Sequence, residues 1–169
     1  NEITLDRSNE IQRQIRLLPG LVGKTLDCFN VLKPIASQLK SASSALFLGR
    51  GHLFPIALEG ALKLKELSYI HAEGFAAGEM KHGPIALIDD GLPVIALIAN
   101  DNLMEKVINN LKEASARGGR IILIADERAA DAIDFAAEVV TVPAVDPLLA
   151  PILLTIPVQI LAYLTALDK

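Results

Sequence analysis

The 169-residue sequence contains no tryptophan, and aromatic residues of all kinds make up only 4% of it. Hydrophobic residues nevertheless amount to 51%, so the core must consist mainly of alanine, leucine, isoleucine and valine. A core of this kind suits helices packed on a parallel sheet better than a β-sandwich. The length fits one ordinary domain with a substantial core.

The chain also lacks a block of basic residues, and its net charge is −4. This charge balance argues against a nucleic-acid-binding surface. The single cysteine, Cys28, cannot form an internal disulfide, so a reducing compartment such as the cytoplasm is the expected location. We expect Cys28 to be a structural residue and not a reactive thiol.

The sequence gives little indication of a signal peptide or of a membrane-spanning helix. The polar start, NEITLDRSNEIQRQI, does not resemble a signal peptide. Residues 148–167 approach the length of a membrane span, but Pro151, Pro157 and Gln159 interrupt them and no basic cluster precedes them. We therefore expect a core or dimer-interface helix and no membrane partner. The absence of an initial Met suggests a piece of a longer multidomain chain.

The order of the predicted elements is typical of an α/β fold. Apolar runs predict strands at residues 45–48, 92–98 and 120–125, and shorter strands are expected at residues 70–75 and 138–142, which makes five. Helices are predicted at residues 6–17 (ending at Pro19-Gly20), 22–41 (bent or interrupted near Pro34), from 55 onward, from Asn100-Asp101 to Arg117, 126–137 and 147–167. The alternation predicts a three-layer α/β/α domain whose flavodoxin-like, five-stranded sheet is parallel. We expect one domain over residues 1–169, with residues 1–42 as a helical lead-in.

The most informative stretch spans residues 57–89. Glu59, Lys63 and Glu66 recur at i, i+4 and i+7, so they share one narrow stripe of a helix. Most of the remaining helix surface is apolar, which predicts a buried helix whose charges line a cleft, pair internally or face a partner. For Glu59 and Lys63 the simpler alternative is an ordinary i, i+4 ion pair. A partly buried Glu66 beside Lys63 would be suited to accept a proton.

Two further residues are candidates for the site. Arg50 follows the first predicted strand and belongs at the carboxyl rim of the sheet, where it either pins the loop or contacts a ligand. His82 precedes Gly83-Pro84, a chain reversal, although a lone histidine is more often structural. Neighbouring His and Glu residues match no metal-ligand spacing, so no metal is predicted. No Ser/Thr-rich phosphate cradle follows any strand.

Three segments of the chain resemble one family closely. They are LGRG with PIALEGALKLKE, SYIHAEGFAAGEMKHGPIALID, and APILLTIPVQILAYLTAL. They are similar to the carboxyl-terminal sugar isomerase (SIS) domain of the glucosamine-6-phosphate synthases, which are isomerizing glutamine–fructose-6-phosphate transaminases. The resemblance covers the chain from about residue 45 onward. It implies an enzyme that makes glucosamine 6-phosphate from fructose 6-phosphate and glutamine.

The resemblance also implies roles for the matching residues. Glu66 would move a proton between C1 and C2 of the open-chain sugar, and Lys63 would support its charge state. His82 would assist ring opening in the site of the other subunit of a homodimer. Arg50 would support the site, whereas Glu59 is more readily a structural member of the stripe. No metal or other cofactor is implied.

The sequence lacks two domains that the full-length enzymes of this family contain. The glutaminase domain and the first SIS domain, which carries the phosphate-binding loop, have no counterpart here, so we expect an incomplete active site. A stand-alone phosphosugar isomerase or deglycase, and a phosphosugar-sensing binding module, stay open as alternatives. The first would need its own phosphate-binding loop. The second has little use for Lys63, Glu66 and His82 together.

Overall fold

A single parallel sheet organises the protein, as a computed structural model that describes residues 3–167 and 169 shows. Its strands are β1 (Ser44–Gly49), β2 (His71–Ala76), β3 (Pro93–Ile98), β4 (Arg120–Asp126) and β5 (Glu138–Val142). They lie in the order β2-β1-β3-β4-β5, and each neighbouring pair is parallel. The predicted flavodoxin-like α/β/α fold is confirmed.

Helices cover both faces of this sheet. They are α1 (Leu5–Thr25), α2 (Cys28–Leu39), α3 (Phe54–Ser68), α4 (Met104–Ala116), α5 (Glu127–Ala130) and α6 (Ala150–Leu167), with 3-10 turns at Gly51–Leu53, Ala77–His82 and Pro84–Leu87. One hydrophobic core joins α2, α3 and α6 to the first face. A second core joins α4, α5 and the turn Ala77–His82 to the opposite face. The central strand β3 is buried along its whole length, because it is covered on both sides.

The predicted end of the first helix at Pro19-Gly20 is wrong. Pro19 lies inside α1, which continues to Thr25. A proline removes one intrahelical hydrogen bond, and here it frees the carbonyl of Ile15. Ile15 is on an exposed part of the helix, where water can replace the missing donor. Partly buried leucine and valine side chains on both sides of the proline pack on the first core and hold one continuous helix: Leu18, Leu21 and Val22.

Three other helix boundaries differ from the predictions. The second helix begins at Cys28, after a turn, and contains Pro34 without a break. The helix α4 begins at Met104, because the Asp101 carboxylate accepts the Leu103 N–H (2.8 Å) and forms a separate turn before it. Only four residues of the predicted 126–137 helix are helical. Aspartates at 131 and 134 favour turns over helix interiors.

The helix α6 is long and apolar enough to cross a membrane by length and composition. Half of its residues are buried inside the protein, where they belong to the first core. They include leucine and valine side chains that contact α2 and α3: Leu153, Leu154, Val158 and Leu161. This burial identifies α6 as a core helix of the domain, as the sequence predicted.

The thiol of Cys28 is buried at the start of α2. Burial raises the pKa of this thiol to about 11, with a further contribution from the neighbouring Asp27 carboxylate. A thiol with such a pKa carries almost no thiolate at neutral pH, and the thiolate is the reactive form. The structure therefore agrees with a structural role for Cys28.

An ion pair anchors α1 to the loop before α6, and it predicts a pH dependence of stability. Arg7 donates both terminal nitrogens to the nearly buried carboxylate of Asp146, with Nη2–Oδ1 at 2.9 Å. The hydrogen bond from Arg7 lowers the pKa of Asp146. A lowered folded-state pKa stabilises the protein above the unfolded value of about 3.9, and this contribution is lost as the pH falls through the folded value.

We therefore expect Asp146→Asn to lower the urea midpoint at pH 7, with a difference from wild type that disappears at pH values well below about 4. Asparagine keeps an oxygen that can accept the Leu148 N–H, so the substitution mainly removes the charge. A difference that persisted undiminished in acid would exclude the ion pair as its source.

Candidate active site

The helix α3 buries only one of its sides. That side packs on β1, β2 and α6 through small and aliphatic residues: Ala57, Gly60, Ala61 and Leu64. Away from that side, Leu58, Leu62 and Leu67 are 44%, 43% and 46% exposed. The expectation that α3 is buried nearly all round is therefore wrong for a single copy of the chain, because the described residues 3–167 and 169 leave these leucines partly open to solvent.

Lys63 and Glu66 form a direct ion pair on α3. The Lys63 Nζ donates to the Glu66 Oε2 at 2.5 Å, with the two side chains 31% and 51% exposed. This hydrogen bond is the largest cause of a raised pKa for Lys63, so the amine stays protonated at neutral pH. The other carboxylate oxygen of Glu66 accepts no hydrogen bond within residues 3–167 and 169. The geometry thus presents one fixed and one open carboxylate oxygen.

Glu59 does not form the i, i+4 ion pair with Lys63 that its spacing allowed. Its Oε1 accepts a hydrogen bond from the Gln159 Nε2 of α6 at 3.1 Å. The sequence pattern did not indicate Gln159 as a residue of the site. The available signal was that Gln159 is a lone amide within an otherwise strongly apolar helix.

Arg50 lies at the carboxyl end of β1, at the rim where the sequence placed it. Its guanidinium group rests against the backbone of Gly78, where a Cβ atom would be 3.1 Å from Nη1 and 3.2 Å from Cζ. Gly78 belongs to the turn Ala77–His82. Arg50 therefore contacts the segment that carries His82, and not the Lys63–Glu66 pair.

His82 is exposed at the end of that turn. The turn packs on the second core through Ala77 and Met80, and Lys81 pairs with Glu113 of α4 at 2.7 Å. Since α3 packs on the first core, the His82 segment and α3 occupy opposite faces of the sheet. Within one chain the structure does not bring His82 to Glu66.

A polar cleft of about 340 Å³ lies at the carboxyl ends of β3 to β5, away from these residues. Its carboxylates already have partners: Asp126 accepts the N–H groups of Asn100 and Ala129, and Asp146 binds Arg7. Across the described part of the chain, no group of three His, Cys, Asp or Glu side chains is arranged to hold a metal. The Lys63–Glu66 pair is therefore the best candidate for chemistry.

The comparisons with known proteins agree with the fold. Residues 38–168 match the SIS domain family. A glutamine–fructose-6-phosphate aminotransferase [isomerizing] from Zymomonas mobilis is 47% identical over 169 residues, which cover 99% of this chain and 28% of that protein. The relative from Haemophilus influenzae is 44% identical over 167 residues. The chain thus spans less than a third of the length of these relatives.

Solved structures show the same fold. The C-terminal domain of glucosamine-fructose-6-phosphate aminotransferase from Francisella tularensis superimposes with a TM-score of 0.95 at 39% identity, over 99% of this chain and 47% of that one. Tagatose-6-phosphate ketose/aldose isomerase from Escherichia coli gives a TM-score of 0.68 at 22% identity, over 87% of this chain and 42% of that one. The second similarity shows the fold alone.

Proposed function

Because this chain belongs to the SIS domain family, we propose that it is the carboxyl-terminal SIS domain of an isomerizing glutamine–fructose-6-phosphate aminotransferase. Such an enzyme makes glucosamine 6-phosphate from fructose 6-phosphate and glutamine. The observation that carries the proposal is the ion pair of Lys63 with Glu66 on an open side of α3. The relatives with this name match almost the whole chain, which supports the assignment.

The proposed chemistry is a proton transfer within the sugar. The free oxygen of Glu66 takes the proton from C1 of the open-chain sugar, and the resulting acid returns it to C2. The C1 hydroxyl proton passes to the C2 oxygen in the same isomerisation, so C1 becomes the aldehyde and C2 becomes the carbinol. Because C1 is oxidised as C2 is reduced, the step needs no outside electron acceptor. Lys63 holds the other oxygen of Glu66 by a charge-assisted hydrogen bond and so fixes the direction in which the base points.

His82 is proposed to act on the ring oxygen in a site shared with a second copy of the chain. Its segment lies on the face opposite to α3, so a histidine from another subunit fits the site better than the chain's own. The exposed leucines of α3 support such a homodimer, or a contact with another domain. Arg50 is proposed to hold the His82 segment, and Glu59 to be a structural member of the stripe that binds α6 through Gln159.

The remaining functions are assigned to parts of the parent protein that this chain does not contain. A glutaminase domain would release the nitrogen, and a first SIS domain would grip the sugar phosphate. Residues 1–42 would serve as a helical lead-in to the single SIS domain. We propose a cytoplasmic location, since the lone cysteine is buried and makes no disulfide.

A direct test is the turnover of fructose 6-phosphate by the 169-residue chain. We expect no isomerisation above background and only weak binding of the sugar phosphate in calorimetry, because the phosphate-binding elements are assigned elsewhere. The full-length protein, assayed under the same conditions, is the positive control. Robust turnover by the chain alone would instead identify a stand-alone phosphosugar isomerase, and tight binding without turnover would identify a sensor.

A further inference from the structure

The Lys63 ammonium lies between two carboxylates of α3 but bonds to only one of them. Glu59 is four residues before Lys63 and Glu66 is three residues after it, so both acids are within reach on one side of the helix. A glutamate four residues before a lysine is a favoured arrangement for a helical ion pair. The observed bond nevertheless joins Lys63 to Glu66. Helix spacing alone does not explain this choice.

The explanation lies on α6, which packs along α3. Gln159 donates its side-chain amide to the Glu59 Oε1 at 3.1 Å, across 100 residues of sequence. The described residues of α6 include no Asp, Glu, Lys, Arg or His, and Tyr163 is its titratable side chain. Gln159 is therefore the group by which α6 engages the charged stripe of α3.

The other charged groups near α3 have partners or positions of their own. His71 and Glu73 of β2 lie 3.6 Å apart, and His52 is in the turn before the first residue of α3. Lys169 donates to the carbonyl of Ser68, while β1 and β3 carry no charged residue. Glu59 stays close enough for its charge to contribute to the raised pKa of Lys63, after the larger effect of Glu66. The competition for Lys63 is thus between Glu59 and Glu66.

We infer that Gln159 is a positioning residue that assigns the Lys63 ammonium to Glu66. By binding Glu59, the amide holds the competing acid in place and leaves Lys63 to fix one oxygen of the proposed base. The catalytic consequence rests on the proposed function, whereas the choice of ion-pair partner is a property of the domain itself.

The test is an NMR comparison, at neutral pH, of the carboxyl-carbon chemical shifts of Glu59 and Glu66 in the 169-residue chain. In the wild type, Lys63→Met should change the chemical shift of Glu66 more than that of Glu59, because Lys63 bonds to Glu66. In a Gln159→Leu background the order should reverse, because the freed Glu59 then pairs with Lys63. Gln159→Glu is a second variant, and it should give the same reversal by repelling Glu59 from α6.

The matched control is Gln14→Leu, which removes a similar glutamine–glutamate contact (Gln14 Nε2 to Glu10 Oε1, 2.9 Å) on α1. This control should leave the response to Lys63→Met unchanged. The inference is overturned if Lys63→Met acts mainly on Glu66 in both Gln159 backgrounds, since the amide would then have no part in selecting the partner.

In the full-length protein, Gln159→Leu should lower kcat for isomerisation by up to about fivefold with little change in KM, as expected for the loss of one exposed ion pair. A wild-type protein without any isomerase activity would contradict the proposed function. The NMR reversal would still decide the role of Gln159, so the two failures are distinguishable.

Discussion

Replacing Glu66 by glutamine in the full-length protein should lower sugar isomerisation by about 10²–10⁴-fold and leave glutamine hydrolysis at the wild-type rate. General acid–base groups contribute about that much to catalysis, and an amide cannot take a proton from carbon. Glutamine keeps the size of the side chain and an oxygen that can accept the Lys63 hydrogen bond. The assay measures aldose formation from fructose 6-phosphate and, separately, glutamate release from glutamine.

The neighbouring Lys65 provides the matched control, since it is an exposed charge on the same turn of α3. Lys65→Gln should leave both activities within about twofold of wild type, as is usual for an isolated surface charge. Isomerisation at the wild-type rate by Glu66→Gln would remove Glu66 from the role of base. A parallel loss of glutamine hydrolysis would point to a general folding defect.

Among the glycine-to-alanine substitutions in the domain, Gly49→Ala should destabilise the fold most. A Cβ atom at this position would lie 2.2 Å from the carbonyl oxygen of Leu53 and 2.6 Å from its carbon. Both are backbone atoms of the turn between β1 and α3, so no side chain can move aside. We expect a loss of about 3 kcal/mol or more in the free energy of unfolding, at the upper end of overpacking effects. Urea denaturation followed by circular dichroism measures it.

Gly20→Ala is the control for the added methyl group. Gly20 lies inside α1, and a Cβ atom there would meet nothing within 4 Å. Alanine in an open helix interior should raise stability by about 0.5–1 kcal/mol, since glycine is the poorer helix former. If Gly49→Ala proved as stable as wild type, the close approach of the Leu53 carbonyl would not hold in solution.

The three inner strands were the most predictable, because each is a short apolar run that the sheet buries. The run PVIALI, for example, became β3 with every residue buried. Helix ends were less predictable wherever proline was present. Because proline disrupts helices, the sequence predicts that the first helix ends near Pro19. In the structure, side chains on both sides of Pro19 pack on the first core, and α1 continues to Thr25. Tertiary contacts decide such boundaries, and a local pattern does not contain them.

The positions of the three charged residues on α3 were predictable, but the choice of ion-pair partner for Lys63 was not. The spacing alone placed Glu59, Lys63 and Glu66 on one side of a helix. Which acid takes the ammonium depends on Gln159, which is 100 residues away from Glu59 in the sequence. The exposed side of α3 was missed because the helix composition was interpreted as burial within one chain. Whether those leucines are covered depends on surfaces outside this domain.

The sheet lies between two sets of groups that belong to different hydrophobic cores. The Lys63–Glu66 pair belongs to the layer of α2, α3 and α6, and His82 ends a turn that packs in the layer of α4. Substitutions in one layer therefore leave the packing of the other unchanged, and their effects on stability should simply add. The same five strands can keep the domain folded while a group in one layer is exchanged, so a variant of Glu66 or His82 can lose its chemistry and still fold.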